Sequence, residues 1–465
     1  MAPQDATMFW LSARTRNDLF LLYSFADAGV PTDALRAAVA ARSARIPDLR
    51  VRLREAPGDL AYPSWVPGEF SVDQFVEHRS RDWAAVEAAL GDLLATAVDA
   101  RIHPWRLHVF RGVADAPMRG SDEELATVVV LQMSHALADG KRATAIAREL
   151  FCEHGPGRAS WGPSAGVPAA FVAGAELITR LRHSAFLSGV LGAVRIPVGM
   201  VKTAVRGYGA YRAQTELALL TKGGEVPPPG PGFAPSAVNK IGPHGVLEHR
   251  ARMIVCSSEE LRVPGRTITV VVLTAVSMAL AAYLAAHGEP VDRLGAQVPM
   301  ALTERSNGLA RNNYRSLGVD LFADEPDLRA RADRIAAALA DRRLRARHPL
   351  LSAQDRVTAV TPAPILRRDV DRYPIDAVPD AIAGHTVVSS VYRGPADLSF
   401  GGGPVRCTGG FPALGAVMHL THGVHGLGDT VTVSIHADGA VVSDVDEYAN
   451  LLRTALREVR AALDR

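Results

Sequence analysis

Residues Ala126–Gly140, with the sequence ATVVVLQMSHALADG, place a strongly apolar segment directly before a polar one. The run of Val and Leu within Ala126–Met133 predicts a strand that is covered on both faces. A helical pattern follows from about Lys141 to Phe151. The polar segment 134–140, named here the SHALADG loop, therefore lies between a buried strand and a helix, where side chains are held rigidly and can face a cleft.

Strand and helix patterns alternate along the chain, which predicts an α/β fold. The first part has helices predicted at Thr32–Ser43 and Trp83–Val98, strands at Arg50–Arg54 and Trp105–Phe110, and a loop at Pro63–Gly68. The last part has helices predicted at Thr267–Leu284, Leu328–Arg347 and Asp446–Leu463, and strands at Arg250–Cys256, Arg315–Leu321, Val387–Val391, Val417–Thr421 and Val431–His436.

The length of 465 residues is too great for one ordinary core and predicts two lobes of similar size. Gly and Pro punctuate the region between them, which ends in the stiff connector Val226–Gly232. We expect an N-terminal lobe at residues 1–155, a crossover at 156–243 and a C-terminal lobe at 244–465.

Composition excludes several classes of protein. The 51 basic and 49 acidic side chains nearly cancel, so no general surface for nucleic acid is expected. Cys152, Cys256 and Cys407 form no CxxC pair, which argues against a disulfide framework or a zinc site. No secretory signal pattern is seen, so a cytoplasmic location is expected. The most apolar stretch, Ile268–Leu284, contains Thr and Ser and is predicted to be a buried helix.

Residues Phe171–Val205 combine apolar side chains with several cationic ones in an acid-poor run. A helical segment of this kind can lie on an anionic membrane surface, which predicts peripheral contact with the inner membrane face or with lipid droplets. The alternative is a pair of helices that packs on the core and exposes a solvated basic face.

His135 is the residue of the SHALADG loop best suited to acid–base chemistry. An imidazole has a pKa near neutrality, so it can accept the proton of an attacking alcohol and return it to a leaving thiolate. Asp139 is expected to brace the loop through an Arg or through backbone amides, and Gly140 to permit a tight turn into the helix. The alternative is a satisfied core histidine, with Asp139 as the helix N-cap.

Other polar clusters are weaker candidates. Four histidines without an acidic or thiolate companion at ligand spacing are expected to be structural, so no metal is predicted: His419, His422, His425 and His436. Gly401–Gly403 lacks the lysine of a phosphate-binding loop and is expected to be a turn between strands. The pair Ser389–Ser390 has no GxSxG pattern, which counts against a serine hydrolase of that type.

The sequence resembles a known family, the bacterial wax ester synthase/diacylglycerol acyltransferases of the CoA-dependent acyltransferase superfamily. The family signature HHxxxDG stands here as Ser134–Gly140. Weaker matches extend over nearly the whole chain, at Pro47–Arg50, Pro63–Pro67, Asp99–Trp105, Val298–Met300, Asn313–Ser316 and Ser389–Pro395. The resemblance implies two chloramphenicol-acetyltransferase-like lobes, each a mixed sheet flanked by helices, joined by a crossover segment, with the active site in a tunnel between them.

The resemblance also implies an O-acyltransferase that moves a fatty acyl group from acyl-CoA to an alcohol. His135 matches the second His of the signature and would be the general base. Acyl-CoA would be a co-substrate, a lipid or alcohol would be the acceptor, and no permanently bound cofactor is implied. The structural residues of the loop would be Ser134, Asp139 and Gly140. The candidate contacts to the acceptor or oxyanion are Asn313, Ser389 and Ser390.

Several positions depart from the family pattern. Ser134 replaces the first His, and Thr269-Val270 replaces an Asn-Asp pair. Further departures are Thr303 for the Arg of VPxSLR, His103–Trp105 for Pro-Leu-Trp, and Ser390 and Tyr392 for the Asn and first Pro of SNVPGP. These changes indicate a different acceptor from a fatty alcohol or diacylglycerol, or reduced activity.

Three functions therefore compete. The first is wax ester or triacylglycerol synthesis, and the second is acyl transfer to a specialised metabolite or a carrier-bound acceptor. The third is non-catalytic binding of acyl-CoA or lipid. Retention of both His135 and Asp139 argues against the third, because a binding protein does not need the base.

Overall fold

Two six-stranded β-sheets form the frame of the protein. The structure is a computed structural model that describes residues 1–152, 185–243, 245–302 and 310–464. The strands are β1 (Leu19–Ala26), β2 (Val51–Arg54), β3 (Ser64–Pro67), β4 (Phe75–His78), β5 (Trp105–Val113), β6 (Ala126–Met133), β7 (His249–Ser257), β8 (Gly295–Ala301), β9 (Tyr314–Asp320), β10 (Thr386–Tyr392), β11 (Ser399–Phe400), β12 (Gly403–Gly410), β13 (Leu420–Leu427) and β14 (Thr430–Asp438). The α-helices are α1 (Pro3–Ser12), α2 (Thr32–Ser43), α3 (Trp83–Leu94), α4 (Gly140–Phe151), α5 (Ala185–Lys222), α6 (Ile268–Ala286), α7 (Leu328–Ala346), α8 (Ser352–Thr358), α9 (Ala363–Arg372) and α10 (Val445–Asp464).

The first sheet has the strand order β11-β12-β1-β6-β5-β4. Strand β1 lies between β12 and β6 and is antiparallel to both, whereas β4 and β5 are parallel. Every residue of β6 is buried, as the unbroken Val and Leu run predicts. The SHALADG loop follows β6 directly, so a central strand of this sheet holds it in place.

The second sheet has the order β7-β14-β13-β10-β8-β9, and β10 is parallel to both of its neighbours. Helix α6 packs in the largest apolar core cluster, together with α10 and this sheet. Among the described residues, α6 is the one helix long and apolar enough to cross a membrane, but 67% of its most apolar window is buried. It is therefore a core helix of the second lobe, as predicted for Ile268–Leu284.

The expected fold class is confirmed, because two mixed sheets are each flanked by helices. The predicted bounds of α2 and β6 match the structure. The loop expected at Pro63–Gly68 is wrong, since Ser64–Pro67 forms β3 and pairs with β2. Pro63 and Pro67 favour a loop, because proline has no amide hydrogen to donate within a sheet. This sheet has only two strands, so each strand has an unpaired outer edge, where a missing amide hydrogen is tolerated.

Gly401 and Gly402 form the turn between β11 and β12, with φ angles of 60° and 80°. The turn expected at Gly401–Gly403 is therefore confirmed. At Gly403 a Cβ atom would lie 1.8 Å from the carbonyl oxygen of Ala26, so only glycine allows β12 to approach the end of β1.

The two halves of the chain are interleaved in the first sheet. Strands β11 and β12, from residues 399–410, pair beside strands from the first 133 residues. The predicted division into 1–155, 156–243 and 244–465 stays a prediction.

The described part of the crossover region contains one long helix, α5, which continues through Pro197. Residues 171–184 of the predicted membrane-contact segment lie outside the described residues. The described inner face of α5 packs on α8 through small residues, Ala210 and Ala213 against Ala353.

Candidate active site

The SHALADG loop is fixed at both ends by backbone hydrogen bonds. The Ser134 amide donates to the Pro104 carbonyl at 2.9 Å, and the Leu137 amide donates to the Ser134 carbonyl at 2.9 Å. At its other end the Asp139 amide donates to the Arg311 carbonyl of the second lobe at 3.1 Å. The loop therefore lies where the two lobes meet.

His135 is half-buried in this loop and bonds a residue of the second lobe. Its Nδ1 lies 2.8 Å from Oδ1 of Asn312. The Asn312 amide nitrogen donates to the His135 carbonyl at 2.8 Å and to the Asp5 carboxylate at 3.0 Å. Asp5 is 1% exposed and also accepts the Asn312 backbone amide at 2.9 Å. Helix α1, the SHALADG loop and the segment before β9 therefore converge on one histidine.

This arrangement fixes which nitrogen of His135 carries the proton. The Nδ2 group of Asn312 donates to two oxygens, so its Oδ1 must face the imidazole as an acceptor. Nδ1 of His135 then donates its hydrogen to Asn312, and Nε2 is left with a lone pair. A neutral imidazole in this tautomer is ready to act as a base through Nε2.

Burial also favours the neutral form of His135. It lowers the pKa of the imidazole, although the bond to Asn312 and the carboxylates of Asp139 and Asp5 act in the opposite direction. Burial raises the pKa of Asp5, while the amides of Arg311 and Asn312 partly offset this effect. At neutral pH His135 is therefore in the unprotonated state that a general base requires.

Asp139 joins the loop to helix α4 and to the second lobe. One carboxylate oxygen accepts the Arg142 amide at 2.9 Å as the helix N-cap, and the other accepts the Asn313 amide at 3.1 Å. Asp139 therefore braces the loop through backbone amides. Gly140 begins α4 without a positive φ, and a Cβ atom there would meet Val391 at an ordinary 3.7 Å. The turn at this position does not require glycine, contrary to the expectation from the sequence.

A cluster of charged side chains lies beneath the loop. Arg311 donates to Asp48 at 2.7 Å and to the Leu137 carbonyl at 3.2 Å, and its guanidinium lies 5.0 Å from the ring centre of Trp65. Arg142 donates to both oxygens of Asp48. Burial alone would raise the pKa of Asp48, but the two guanidinium groups hold it below its usual value. The carboxylate therefore stays charged and links both lobes to the loop.

The two serine candidates of β10 differ in their surroundings. Ser390 Oγ lies 2.9 Å from Thr269 Oγ1 at the start of α6, on the side of the second lobe's core. Ser389 lies on the opposite face of the strand, in line with Val387 and Val391. Its hydroxyl makes no hydrogen bond to the described residues. A Cβ atom at Gly140 of the loop would lie 3.7 Å from Val391, so Ser389 is the serine on the strand face that lies next to the loop.

A cavity of about 620 Å³ lies beside this strand face, within the range of small-molecule sites. It is lined mainly by apolar residues of α1, β10 and the segment 413–418, with Leu11, Val387 and Leu414 among them. Asn17 also lines the cavity and lies just before β1. The first residue of β1, Leu19, pairs with Met133, which directly precedes the SHALADG loop. The cavity and the loop therefore lie at the same end of the first sheet.

Asn313 adjoins the site through its backbone amide, which bonds Asp139, but its side chain bonds a residue outside the loop. Asn313 donates through its side chain to the Leu302 carbonyl at 3.3 Å, so its neighbour Asn312 makes the contact to His135. Three of the four histidines predicted to be structural bond partners of their own: His419 bonds Asp438, His422 bonds Thr386 and Tyr448, and His436 bonds His249. The described residues contain no group of three or more side chains that could hold a metal ion. Thr303 lies outside the described residues.

Asp5, Asp48, Arg311 and Asn312 are the site residues that the sequence patterns do not reveal as such. Asp5 is the one charged residue of the N-terminal helix, which is a weak signal of burial beside a polar partner. The Asn312-Asn313 pair points to the correct segment, but the pattern does not say which amide faces the histidine.

Comparison with known proteins supports one family. A model described as the wax ester synthase/diacylglycerol acyltransferase catalytic domain matches residues 1–237. A wax ester synthase/diacylglycerol acyltransferase from Marinobacter aquaeolei VT8 has a TM-score of 0.61 and 16% identity, over 100% of this chain and 99% of that chain. A search of curated proteins finds no match.

Condensation domains have the same fold. A variant of the starter condensation domain of rhizomide synthetase, solved with C8-CoA and Leu-SNAC, has a TM-score of 0.56 and 13% identity, over 100% of this chain and 94% of that chain. The first condensation domain of the CDA synthetase has a TM-score of 0.54 and 13% identity, over 100% and 95% of the two chains. At these identities the likeness shows the fold alone.

Proposed function

Because the chain belongs to the wax ester synthase/diacylglycerol acyltransferase family, we propose that it transfers a fatty acyl group from acyl-CoA to the hydroxyl group of an apolar acceptor. His135 would be the general base. The observation that carries this proposal is the neutral imidazole, whose Nδ1 hydrogen is held by Asn312 and whose Nε2 is left to accept a proton.

The reaction needs no covalent intermediate on the protein. Nε2 of His135 removes the proton of the acceptor hydroxyl while its oxygen attacks the thioester carbonyl carbon. The tetrahedral intermediate then collapses, the carbon–sulfur bond breaks, and the thiolate of CoA takes the proton back from Nε2. The products are an ester and free CoA, and His135 returns to its neutral state.

Two further groups have places in this mechanism. Ser389 is a candidate donor to the oxyanion, because it shares a strand face with Val391, which lies beside Gly140 of the loop. The cavity of about 620 Å³ would hold an apolar chain. The rhizomide synthetase domain was solved with C8-CoA, which supports acyl-CoA as the donor on this fold.

A second candidate keeps the fold and the base but changes the acceptor to a specialised metabolite or a carrier-bound chain. The observation that favours it is the bond between Thr269 and Ser390, which occupy positions where the family pattern has Asn. Two hydroxyl groups bonded to each other replace longer amides behind the strand that carries Ser389, so the shape of the site beside that strand would differ from the family pattern.

An acceptor panel separates the two candidates. We would incubate the protein with palmitoyl-CoA and, in parallel, hexadecanol, a diacylglycerol, and a set of polar hydroxyl and amine compounds, and detect products by mass spectrometry. Ester formation from the long-chain acceptors supports the first candidate, and turnover of a polar compound alone supports the second. No product from any acceptor would contradict both.

A further inference from the structure

Helix α5 presents an apolar face to the outside of the protein. Val201 and Val205 are 65% and 66% exposed, and Tyr208 and Leu219 are each 66% exposed. These four residues follow one another at intervals of four, three and eleven positions, so they lie along one stripe of the helix. The stripe is the reverse of the usual pattern, in which a surface helix points its polar residues outward.

The opposite face of α5 is firmly seated on the protein. Gly199 lies close to Pro362, and Thr203 donates to the carbonyl of Val360 at 3.3 Å. Farther along, Arg345 donates to the hydroxyl of Thr221 at 2.8 Å. The core-facing side of the helix is therefore already used, and the exposed apolar stripe needs a different partner.

The charges beside the stripe have one predominant sign. Between residues 196 and 222 the helix carries Lys202, Arg206, Arg212 and Lys222 but only one acid, Glu216. A groove of about 550 Å³ between α5 and α8 is lined by apolar residues and by the three cations Lys202, Arg206 and Arg356, with no acidic side chain. None of these three cations forms a salt bridge within the described part of the chain.

We propose that α5 is an interfacial helix that docks the protein on an anionic lipid surface. Its apolar stripe would enter the boundary between headgroups and acyl chains, with Tyr208 and Tyr211 at headgroup level. The cations of the groove and Arg212 would contact headgroup phosphates. This inference does not depend on the acyl transfer reaction, although it would bring the site to a source of apolar acceptors.

A second copy of the chain is a poorer fit to the same face. Two copies that met through α5 would bring the basic residues of both together, with one acid each to offset them. An anionic surface offers the opposite charge to all of them. The charge pattern therefore favours lipid over self-association.

Vesicle co-sedimentation of the full-length protein tests the proposal. The variant Val201→Glu/Val205→Glu places two acids on the stripe, and Val72→Glu is the matched control because Val72 is 58% exposed in the first lobe. We expect the wild type and the control to sediment with vesicles of phosphatidylcholine and phosphatidylglycerol. The affinity of the double variant for these vesicles should be about tenfold lower. Circular dichroism would verify that all three proteins are folded.

Three outcomes would overturn the proposal. One is equal sedimentation of the double variant and the wild type. Another is equal binding of the wild type to vesicles of phosphatidylcholine alone, which would remove the role of the cations. The third is a wild-type dimer in analytical ultracentrifugation that the double variant loses, without vesicle binding by either, which would make a second copy the partner. Because sedimentation does not require turnover, failure here is distinguishable from failure of the proposed reaction.

Discussion

Asn312 joins parts of the protein that are far apart in the sequence. Its side chain accepts from His135 and donates to Asp5, which lies in the first helix. Such a contact selects one tautomer of the imidazole and holds the ring in one orientation, so that the other nitrogen can meet a substrate. We therefore regard Asn312 and Asp5 as positioning residues for the base.

Replacement of Asn312 by Ala should lower kcat by roughly tenfold to a hundredfold with little change in KM, because the base loses its orientation. The bond to Asn312 raises the pKa of His135, so its loss should also move the acid limb of the pH–rate profile to lower pH. In the wild type this limb should already lie below about pH 6.5, because burial lowers the pKa and activity falls only when the imidazole is protonated. Steady-state kinetics across pH would measure both effects.

The exposed Asn450 provides a matched control, and Asn450→Ala should keep the wild-type rate and profile. An Asn312→Ala enzyme with an unchanged kcat and an unchanged acid limb would show that the amide does not position the base.

A single site residue can be predicted from the sequence where it belongs to a short, recognisable motif. His135 stands out through the resemblance of Ser134–Gly140 to a family signature, and its position after a buried strand agrees with that. The contact from Asn312 cannot be predicted this way, because it depends on the approach of two lobes. Whether Asn312 or Asn313 faces the loop is decided by the start of β9, where Asn313 bonds Leu302.

At the level of single elements, β1 is the most informative strand that the sequence patterns do not identify. Its residues LFLLYSFA lack a clean alternation, because β1 is central in the sheet and almost wholly buried. Strand β12 is missed for another reason: its glycines have low β propensity, and it forms because they fit closely against β1. Amphipathic helices such as α2 are easier to predict, because burial of one face makes apolar residues recur with a period of about 3.6 residues.

Asp18, just before β1, provides a pH-dependent test of how this strand is anchored. It is 3% exposed, and one of its oxygens accepts from the Val98 amide and the Gln132 side chain. Burial raises the pKa of Asp18 to about 6. Between about pH 4 and pH 6 the folded state therefore binds more protons than the unfolded state, and this carboxyl lowers stability as the pH rises.

The variant Asp18→Asn keeps an acceptor oxygen but cannot ionise. Relative to the wild type it should gain stability as the pH rises from about 4 to about 7, by up to roughly 2–3 kcal/mol. Urea denaturation at the two pH values would measure the difference. The surface variant Asp73→Asn should show no such trend, and a pH-independent difference for Asp18→Asn would contradict the assignment of a raised pKa.

For the whole molecule, the notable feature is that the second half of the chain contributes two strands to the first sheet. The first sheet includes β11 and β12 from residues 399–410, and the SHALADG loop bonds Arg311 and Asn312. A two-lobed α/β protein is predictable from length and from alternating patterns. The interleaving is not, because it arises from pairing between strands almost four hundred residues apart.

A fragment of residues 1–243 should therefore fail to fold alone. In the full chain, Leu21–Phe25 of β1 pairs with β12. Without β12 this edge of β1 has unpaired backbone groups, which favours aggregation. Co-expression with residues 244–465 should recover soluble material, which serves as the control. A monomeric 1–243 fragment that unfolds cooperatively would show that the first lobe is independent of the second.

Thiol release from palmitoyl-CoA would test whether His135 is the base of an acyl transfer reaction. We would compare the wild type, His135→Ala and the surface control His287→Ala, each with and without hexadecanol or a diacylglycerol. We expect acceptor-dependent release of CoA that falls by about 10²–10⁴-fold in His135→Ala and is retained in His287→Ala. Equal acceptor-dependent turnover by His135→Ala and the wild type would contradict this role of His135.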